Sequence, residues 1–419
     1  MRRLNVLVSA YACEPHRGSE PGVGWNWTLQ IARFHDVWVI TRANNRGVIE
    51  QALAEHPRPN VRWVYFDLPR WASFWKVGER GVHIYYLLWQ IGAYVLARRL
   101  HERIGLHIVH HLTFGNYWMP SLLVLLPVPF VWGPLGGGET TPGSFGRTFH
   151  WRARAYERVR TMTRWLGERN PIVRLDARRG IALAKAPETA ERLRALGARS
   201  VHLCAEAGIS TADVRGRDAA HPRLGSPFRV LSIGRLLHLK GFHLGLTAFA
   251  QMAQRGFPCE YWFVGDGPER GHLEELAQQL GLARQVRFWG SLPRRQVLDA
   301  LAACQVLVHP SLHDSGGWVC LEAMAAGCPV ICLDLGGPAL QVTSETGFKV
   351  PAREVSQTVA EIAAAMLRLA QDPELQVRMG EAGRSRVRTA YAWDLKGPLV
   401  ARLYREAVEA PLGPSSLTL

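Results

Sequence analysis

His309-Pro310-Ser311-Leu312-His313-Asp314-Ser315-Gly316-Gly317-Trp318-Val319-Cys320-Leu321-Glu322-Ala323-Met324-Ala325-Ala326-Gly327-Cys328-Pro329-Val330 is the stretch from which the rest of the chain is read. The apolar run Val306–His309 stops at Pro310, a loop with two adjacent glycines follows, and small residues run on from Trp318. That order predicts a buried strand, a glycine-rich loop and a helix beginning near Trp318. Successive backbone N–H groups at a helix start, here Gly316, Gly317, Trp318 and Val319, favour a phosphate or sugar oxygens. Asp314 falls in the loop and Glu322 about one turn into the helix. A helix carboxylate is ordinarily solvated, yet Glu322 sits among Leu321, Ala323, Met324 and Ala326. A carboxylate in such apolar company needs a partner.

Outward from this stretch, apolar runs suited to buried parallel strands alternate with helical stretches. In the second half they are Arg229–Ile233, Glu260–Val264, Val286–Trp289, Val306–His309 and Pro329–Leu333. In the first they are Leu4–Ser9, Val37–Thr41, Val61–Phe66, Ile108–His111 and Pro129–Trp132. Strand and helix alternating over roughly 200 residues, twice, predict an α/β protein of two doubly wound, Rossmann-like domains facing a central cleft. The N-terminal domain is placed at 1–209, a linker rich in Gly, Pro and charge at 210–226, and the C-terminal domain at 227–394. A C-terminal helix within 395–419 is expected to pack back toward the N-terminal domain, ahead of a frayed tail after Pro411. Ligands of doubly wound sheets bind beyond the carboxyl ends of the strands. Each segment below follows such a strand.

After Arg229–Ile233 comes Gly234-Arg235-Leu236-Leu237-His238-Leu239-Lys240-Gly241. Gly234 lets a ligand approach the backbone, and Arg235 and Lys240 can neutralise a diphosphate from one loop. By themselves they read as ordinary solvated charges. Gly265-Asp266-Gly267-Pro268-Glu269 reads as a tight turn and helix cap. Backbone groups where Phe288 and Trp289 lead into Gly290 can bond a flat base edge, although an ordinary loop fits equally. In the first half, Leu4–Ser9 runs into Tyr11 to Trp27, a segment holding Gly22, Gly24 and Trp25. His110 and His111, adjacent at a strand end, point to opposite faces, so at most one meets a cleft. Either alone is ordinarily a structural histidine. Trp132-Gly133-Pro134-Leu135-Gly136-Gly137-Gly138-Glu139 permits close approach, with Glu139 an acceptor contact, a weak base or part of a plain loop.

The 419 residues are 47% hydrophobic and 20% charged, which excludes a disordered chain. Net charge is +15, from 50 Lys and Arg against 35 Asp and Glu. Residues 1–225 hold 31 basic and 17 acidic side chains, and residues 226–419 hold 19 and 18. The excess thus lies in the first part, with 11 of the 15 Trp. Between 146 and 179, ten Arg meet three acids, with Trp151 and Trp165 interleaved; 69–80 adds Trp71, Phe74, Trp75 and Lys76. Trp beside Arg suits a lipid headgroup layer or stacked bases, and the membrane is the reading preferred. Seven cysteines, with no C-x-x-C pair, argue against a disulfide framework or zinc site and for a reduced compartment. Leu4 to Ala10 is short for a leader and contains Asn5, so it predicts a first buried strand. Val82–Ala97, broken by His83 and Gln90, falls short of the ~20 residues a membrane span needs.

Gly-Arg-Leu…Lys-Gly at 234–241, Val-Gly-Asp-Gly-Pro at 264–268 and acid-x7-Glu-Ala-Met-Ala-x-Gly-x-Pro-Val at 314–330 together carry a resemblance. The chain resembles the family-4 retaining glycosyltransferases of the GT-B fold, among them bacterial enzymes of exopolysaccharide, lipopolysaccharide and capsule assembly. That resemblance implies transfer of a sugar from a nucleoside-diphosphate sugar, UDP- or GDP-linked, to a hydroxyl of a lipid-linked or polysaccharide acceptor. It implies that Arg235 and Lys240 hold the diphosphate and that Glu322 accepts from ribose hydroxyls. The backbone from Gly316 to Val319 would cradle sugar and phosphate, with Gly234, Gly265, Phe288 and Trp289 completing the donor side. Asp314 stands where the family usually has a Glu that touches the transferred sugar, one methylene short. Gly22 and Gly24 would belong to a loop closing over donor phosphates, and His110 or His111 would lie near the reacting sugar or acceptor hydroxyl. Trp25 and Glu139 fall on the acceptor side, and the N-terminal domain is expected to touch anionic membrane.

No Asp-x-Asp occurs, so a metal bridging carboxylates and diphosphate is not indicated, and two basic side chains can replace it. The nucleotide sugar is a substrate, no cofactor is expected, and no nucleic-acid partner either. A cytoplasmic protein, peripheral on the inner face of the plasma membrane, is the corresponding expectation. Two rivals stand beside it. One is another GT-B enzyme, an epimerase or a phosphorylase, signalled by phosphate-dependent glycan cleavage. The other is a basic nucleic-acid-binding protein, signalled by steeply salt-dependent DNA retention.

Overall fold

The computed structural model describes residues 2–76, 81–210 and 227–409. The linker placed at 210–226 lies outside the described residues except for Ser210, and so does the tail after Pro411. The chain divides into two compact units. One comprises Met1–Gly138, Thr161–Glu206 and Trp393–Leu419; the other comprises Glu139–Arg160 and Ala207–Ala392.

The first unit is built on β1 (Asn5–Ser9), β2 (Asp36–Thr41), β3 (Val61–Tyr65), β4 (Ile108–His111), β5 (Phe130–Leu135), β6 (Ile181–Ala184) and β7 (Ser200–Leu203). They form one parallel sheet in the order β3-β2-β1-β4-β5-β6-β7. Val6, Leu7 and Val8 of β1 are fully buried on both faces, which is why that strand reads as an unbroken apolar run. The second unit is built on β8 (Phe228–Ile233), β9 (Cys259–Val264), β10 (Val286–Phe288), β11 (Val306–His309), β12 (Val330–Leu333) and β13 (Gly347–Val350). Its parallel order is β10-β9-β8-β11-β12-β13. Strand order reverses between β8 and β11, so the loops leaving those two strands flank a crevice at the sheet's carboxyl edge.

Three strands were not foreseen. β6 is four small or branched residues, β7 is a half-exposed edge strand, and β13 carries Lys349 outward. β7 and β13 lack the apolar run by which a central parallel strand is recognised, whereas β6, all apolar, carries a short one. A larger correction concerns residues 139–160, expected in the first domain. Phe145, Phe149 and Ala153 are buried in the same core as Phe242, Phe249 and Met366 of the second unit, and the Ser144 hydroxyl donates to the Arg353 carbonyl at 2.8 Å. Buried aromatic area, not chain position, assigns the segment. The helix Lys396–Glu409 falls in the first unit, where Tyr404 is fully buried. All seven cysteines are unpaired and buried.

Candidate functional site

β8 ends at Ile233, and the chain passes Gly234 and Arg235 into a short 3-10 turn, His238–Lys240. Gly241 has φ +62, and a Cβ there would lie 2.1 Å from the Pro310 carbonyl oxygen. Only glycine allows this approach, which brings Lys240 against the loop leaving β11. The Lys240 ammonium donates to Asp314 Oδ2 at 2.6 Å, and His309 Nε2 donates to the same oxygen at 2.9 Å. Asp314 Oδ1 accepts from the amides of Gly316 and Gly317, each at 3.0 Å. Burial by itself would raise the Asp314 pKa; Lys240, His309 and the Gly317 amide outweigh it and hold the carboxyl well below the usual range.

This geometry corrects two expectations. Asp314 does not reach out toward a transferred sugar, because both of its oxygens are occupied by the chain. Two of the four amides expected to cradle phosphate, those of Gly316 and Gly317, serve Asp314 itself. The helix foreseen near Trp318 runs Trp318–Ala326, capped by Gly317 in the left-handed region. Arg235 is exposed, and its side chain has no hydrogen-bond or ion-pair partner among the described residues. It is the cation of the pair that stands uncommitted.

Glu322 has the partner its apolar setting required. Arg294 Nη1 donates to Glu322 Oε1 at 2.5 Å. The arginine sits at the start of a helix that no motif singled out, Arg294–Ala303. Beyond β9, the Gly265 amide donates to the Gly290 carbonyl at 2.8 Å, and the Trp289 amide to the Phe263 carbonyl at 2.9 Å. The Trp289 amide and the Gly290 carbonyl, two of the backbone groups expected to read a base edge, are therefore used between neighbouring strands. The Phe288 ring stacks on Phe263 at 5.0 Å, within the core, while Trp289 is exposed and edge-on to Trp262.

A second network in this unit was not anticipated. Arg160 contacts His313 Nε2, which also lies 2.9 Å from the carbonyl oxygen of Glu139. Glu157 lies 3.5 Å from Arg160 and 3.6 Å from His238. Burial works against the Glu157 carboxylate, but His238, Arg160 and His313 hold its pKa below the ordinary value. His313 is driven down to about 4, by burial first and by Arg160 next. Glu139, read as an acceptor contact or base in an N-terminal loop, is buried in the second unit as part of this network. Its signal was absent from the sequence, because the neighbour of its carboxylate, His313 at 4.0 Å, lies 174 residues away.

In the first unit, the helix after β1 begins at Ser19, so Gly22 and Gly24 are helical residues and not part of a loop. A Cβ on Gly22 would lie 2.0 Å from the Arg17 carbonyl oxygen, and one on Gly24 2.1 Å from that of Ala12. Their close approach is to the chain's own backbone. Trp25 stacks on Trp63 at 5.6 Å. His110 and His111 do point to opposite faces, but neither presents a ring nitrogen outward. His110 Nε2 donates to the Gly133 carbonyl at 2.6 Å, and its Nδ1 pairs with the Tyr404 hydroxyl at 2.5 Å. His111 pairs with the Ser121 hydroxyl at 2.8 Å and the Tyr86 hydroxyl at 3.0 Å. Burial pushes their pKa values down to about 4 and about 3. Both are neutral structural histidines, which corrects their placement among catalytic groups.

Residues 217–386 match the family model described as Glycosyl transferases group 1. The alpha-D-kanosaminyltransferase of Streptomyces kanamyceticus is 32% identical over 178 residues, 42% of this chain and 45% of that protein. The chain spans about half the length of the curated relatives it matches. Among solved structures, sucrose-phosphate synthase from Thermosynechococcus elongatus aligns with 98% of this chain and 100% of its own, at 20% identity and a TM-score of 0.65. Anabaena HepE, solved in complex with UDP and glucose, aligns with 96% of this chain and 100% of its own, at 17% identity and a TM-score of 0.60. These likenesses establish the fold, two parallel-sheet Rossmann-like domains of the GT-B type. The chain carries a group 1 glycosyltransferase domain.

Proposed function

We propose, from the group 1 glycosyltransferase domain, that the protein moves a sugar from a nucleoside-diphosphate sugar to a hydroxyl of a lipid-linked or polysaccharide acceptor, with retention and without a metal. The observation that carries this reading is the crevice between β8 and β11, where Arg235 stands exposed on the loop that also delivers Lys240. As the bond from the anomeric carbon to the diphosphate breaks, negative charge gathers on the departing oxygen. Arg235 stabilises it, as do the ammonium hydrogens of Lys240 not directed at Asp314. Glu322, steadied through Oε1 by Arg294, offers its other oxygen to ribose hydroxyls. The acceptor hydroxyl attacks on the face the diphosphate leaves, and the departing phosphate oxygen takes its proton. No histidine is required, which accords with His110 and His111 being sealed. A UDP-linked donor is favoured because the structural neighbour HepE was solved with UDP and glucose.

The acceptor's lipid character is supported by the surface of the first unit. The helix Val82–Ile104 exposes Ile84, Leu87, Leu88, Ile91 and Val95, a ridge at helical spacing. No Asp or Glu occurs from Val82 to His101. Trp71 and Phe74, just before it, are 78% and 80% exposed. No helix among the described residues is long and apolar enough to cross a membrane. A ridge of this kind suits the interfacial layer of a bilayer, hence a peripheral place on the inner face of the plasma membrane.

The test is thermal shift with a panel of UDP- and GDP-sugars, followed by release of nucleoside diphosphate when lipid extracts are added. Stabilisation by one donor and acceptor-dependent release support the reading; no stabilisation by any donor refutes it. Chelation with EDTA is expected to leave turnover unchanged, and a loss restored by added Mg2+ would overturn the metal-free route.

A further inference from the structure

A small pocket of about 210 Å³ opens in the first unit. It is lined by Glu168, Arg169, Arg174, Arg192, Ala195 and Leu196. Three guanidiniums and one carboxylate thus line one concave site, leaving a surplus of positive charge there. Each is oriented by the chain. Arg169 donates to the Trp165 carbonyl at 3.2 Å and lies 3.5 Å over the Trp165 ring. Arg174 Nε donates to the Glu168 carbonyl at 3.0 Å. Arg192 faces the Glu168 carboxylate at 3.9 Å, too long for a tight pair, and Glu168 already accepts from the Tyr117 hydroxyl at 2.5 Å. Guanidinium N–H groups not used in these bonds remain for an anion with several oxygens.

The rim decides what kind of anion. Met162, Trp165 and Leu166 lie on the same helix as Glu168, are about half exposed, and the Trp165 ring lies under the Arg169 guanidinium. A soluble phosphate gains nothing from an exposed apolar apron. A phospholipid headgroup does, because its phosphate sits beside acyl chains and aromatic rings belong at that depth. We propose that Arg169, Arg174 and Arg192 form a binding pocket for the phosphate of an anionic glycerophospholipid, with Met162, Trp165 and Leu166 entering the bilayer beside it. The inference rests on the peripheral-membrane reading above and assigns it a built site.

Co-sedimentation with phosphatidylcholine vesicles, with and without phosphatidylglycerol, tests it. Wild-type protein is expected to bind the phosphatidylglycerol vesicles selectively. Arg169→Ala, Arg174→Ala and Arg192→Ala together should weaken that binding about a hundredfold, from roughly fivefold per cation near an anionic surface. The melting temperature should not change, since all three side chains are on the surface. The triple Lys variant keeps the charge but loses the forked geometry, and should still lose about tenfold. Equal binding by wild type and both triple variants overturns the pocket and leaves the membrane reading standing. No binding by wild type to either vesicle overturns both. Equal affinity for free glycerol phosphate overturns the lipid assignment.

Discussion

Asp314 satisfies four donors with two oxygens, and that saturation separates the two cations of the donor loop. The Arg235 side chain has no hydrogen-bond or ion-pair partner among the described residues, so Arg235→Ala should cost transfer without costing stability. Turnover is expected to fall on the order of 10²- to 10³-fold, the usual loss when one charge-stabilising group is removed. Unchanged turnover would sink its diphosphate role. Lys240→Ala should cost both, because it leaves a buried carboxylate without its cation, at about 3 kcal/mol. Urea midpoints for the two variants separate these outcomes. Asp314→Asn turns an amide N–H2 toward Lys240 and His309, which are themselves donors, and is expected to destabilise by a similar ~3 kcal/mol. Its pH dependence has a definite sign. The folded pKa lies below the ordinary 3.8, so this stability is fully present above that value and is lost as pH falls through the folded pKa. The gap between wild type and Asp314→Asn should therefore narrow below about pH 4. A gap independent of pH would assign the effect to packing and not to charge.

Among the helices, exposure and charge do not coincide everywhere that a charge run suggests they should. The helix Trp151–Glu168 carries Arg152, Arg154 and Arg158 outward, but Arg160 turns in toward His313 and Glu157. Neutralising the first three to Gln should reduce binding to anionic vesicles by about fivefold each at most. Their folding should be untouched, as for most surface positions. Adding Arg160→Gln should lower the melting temperature as well, since it strips Glu157 and His313 of a partner. If all four behave alike in both assays, the inward role of Arg160 is wrong. The ridge on Val82–Ile104 shows the converse. It was read only as too short and too interrupted to span a bilayer, whereas His83 and Gln90 interrupt a helix whose apolar side chains are partly left in solvent. Gln90 is itself buried, donating to the Tyr86 hydroxyl.

For the whole protein, buried neutral histidines set a weakness to acid. His110 and His313 sit at about 4, as does His243, and His111 at about 3, in each case through burial first. The unfolded chain takes up protons near 6.5 while the folded one does not, so stability rises with pH between those values. It is expected to fall as pH drops from 6.5 toward 4, by at most about 1.4 kcal/mol per pH unit for each group. A melting temperature at pH 5 lower than at pH 7.5 by roughly 5 °C or more checks this. A flat profile would mean that these rings are protonated in the fold.

Most of the strands, the positions of Arg235, Lys240 and Glu322, and the helix at Trp318 were legible in the sequence. Each rests on a local regularity: an apolar run, a glycine beside a strand end, small residues at helical spacing. The concentration of charge and tryptophan in the first 225 residues was legible too, being a matter of counting. Tertiary structure decided which side chain answers which. It turned Asp314 back onto Lys240, sealed His110 and His111, gave Glu322 its Arg294, and moved residues 139–160 into the second core. The physical reason is common to all four. Periodicity is set by neighbours a few residues away, whereas these hydrogen bonds, ion pairs and core contacts join groups 10 or more residues apart, up to 294, that only the packed chain brings together.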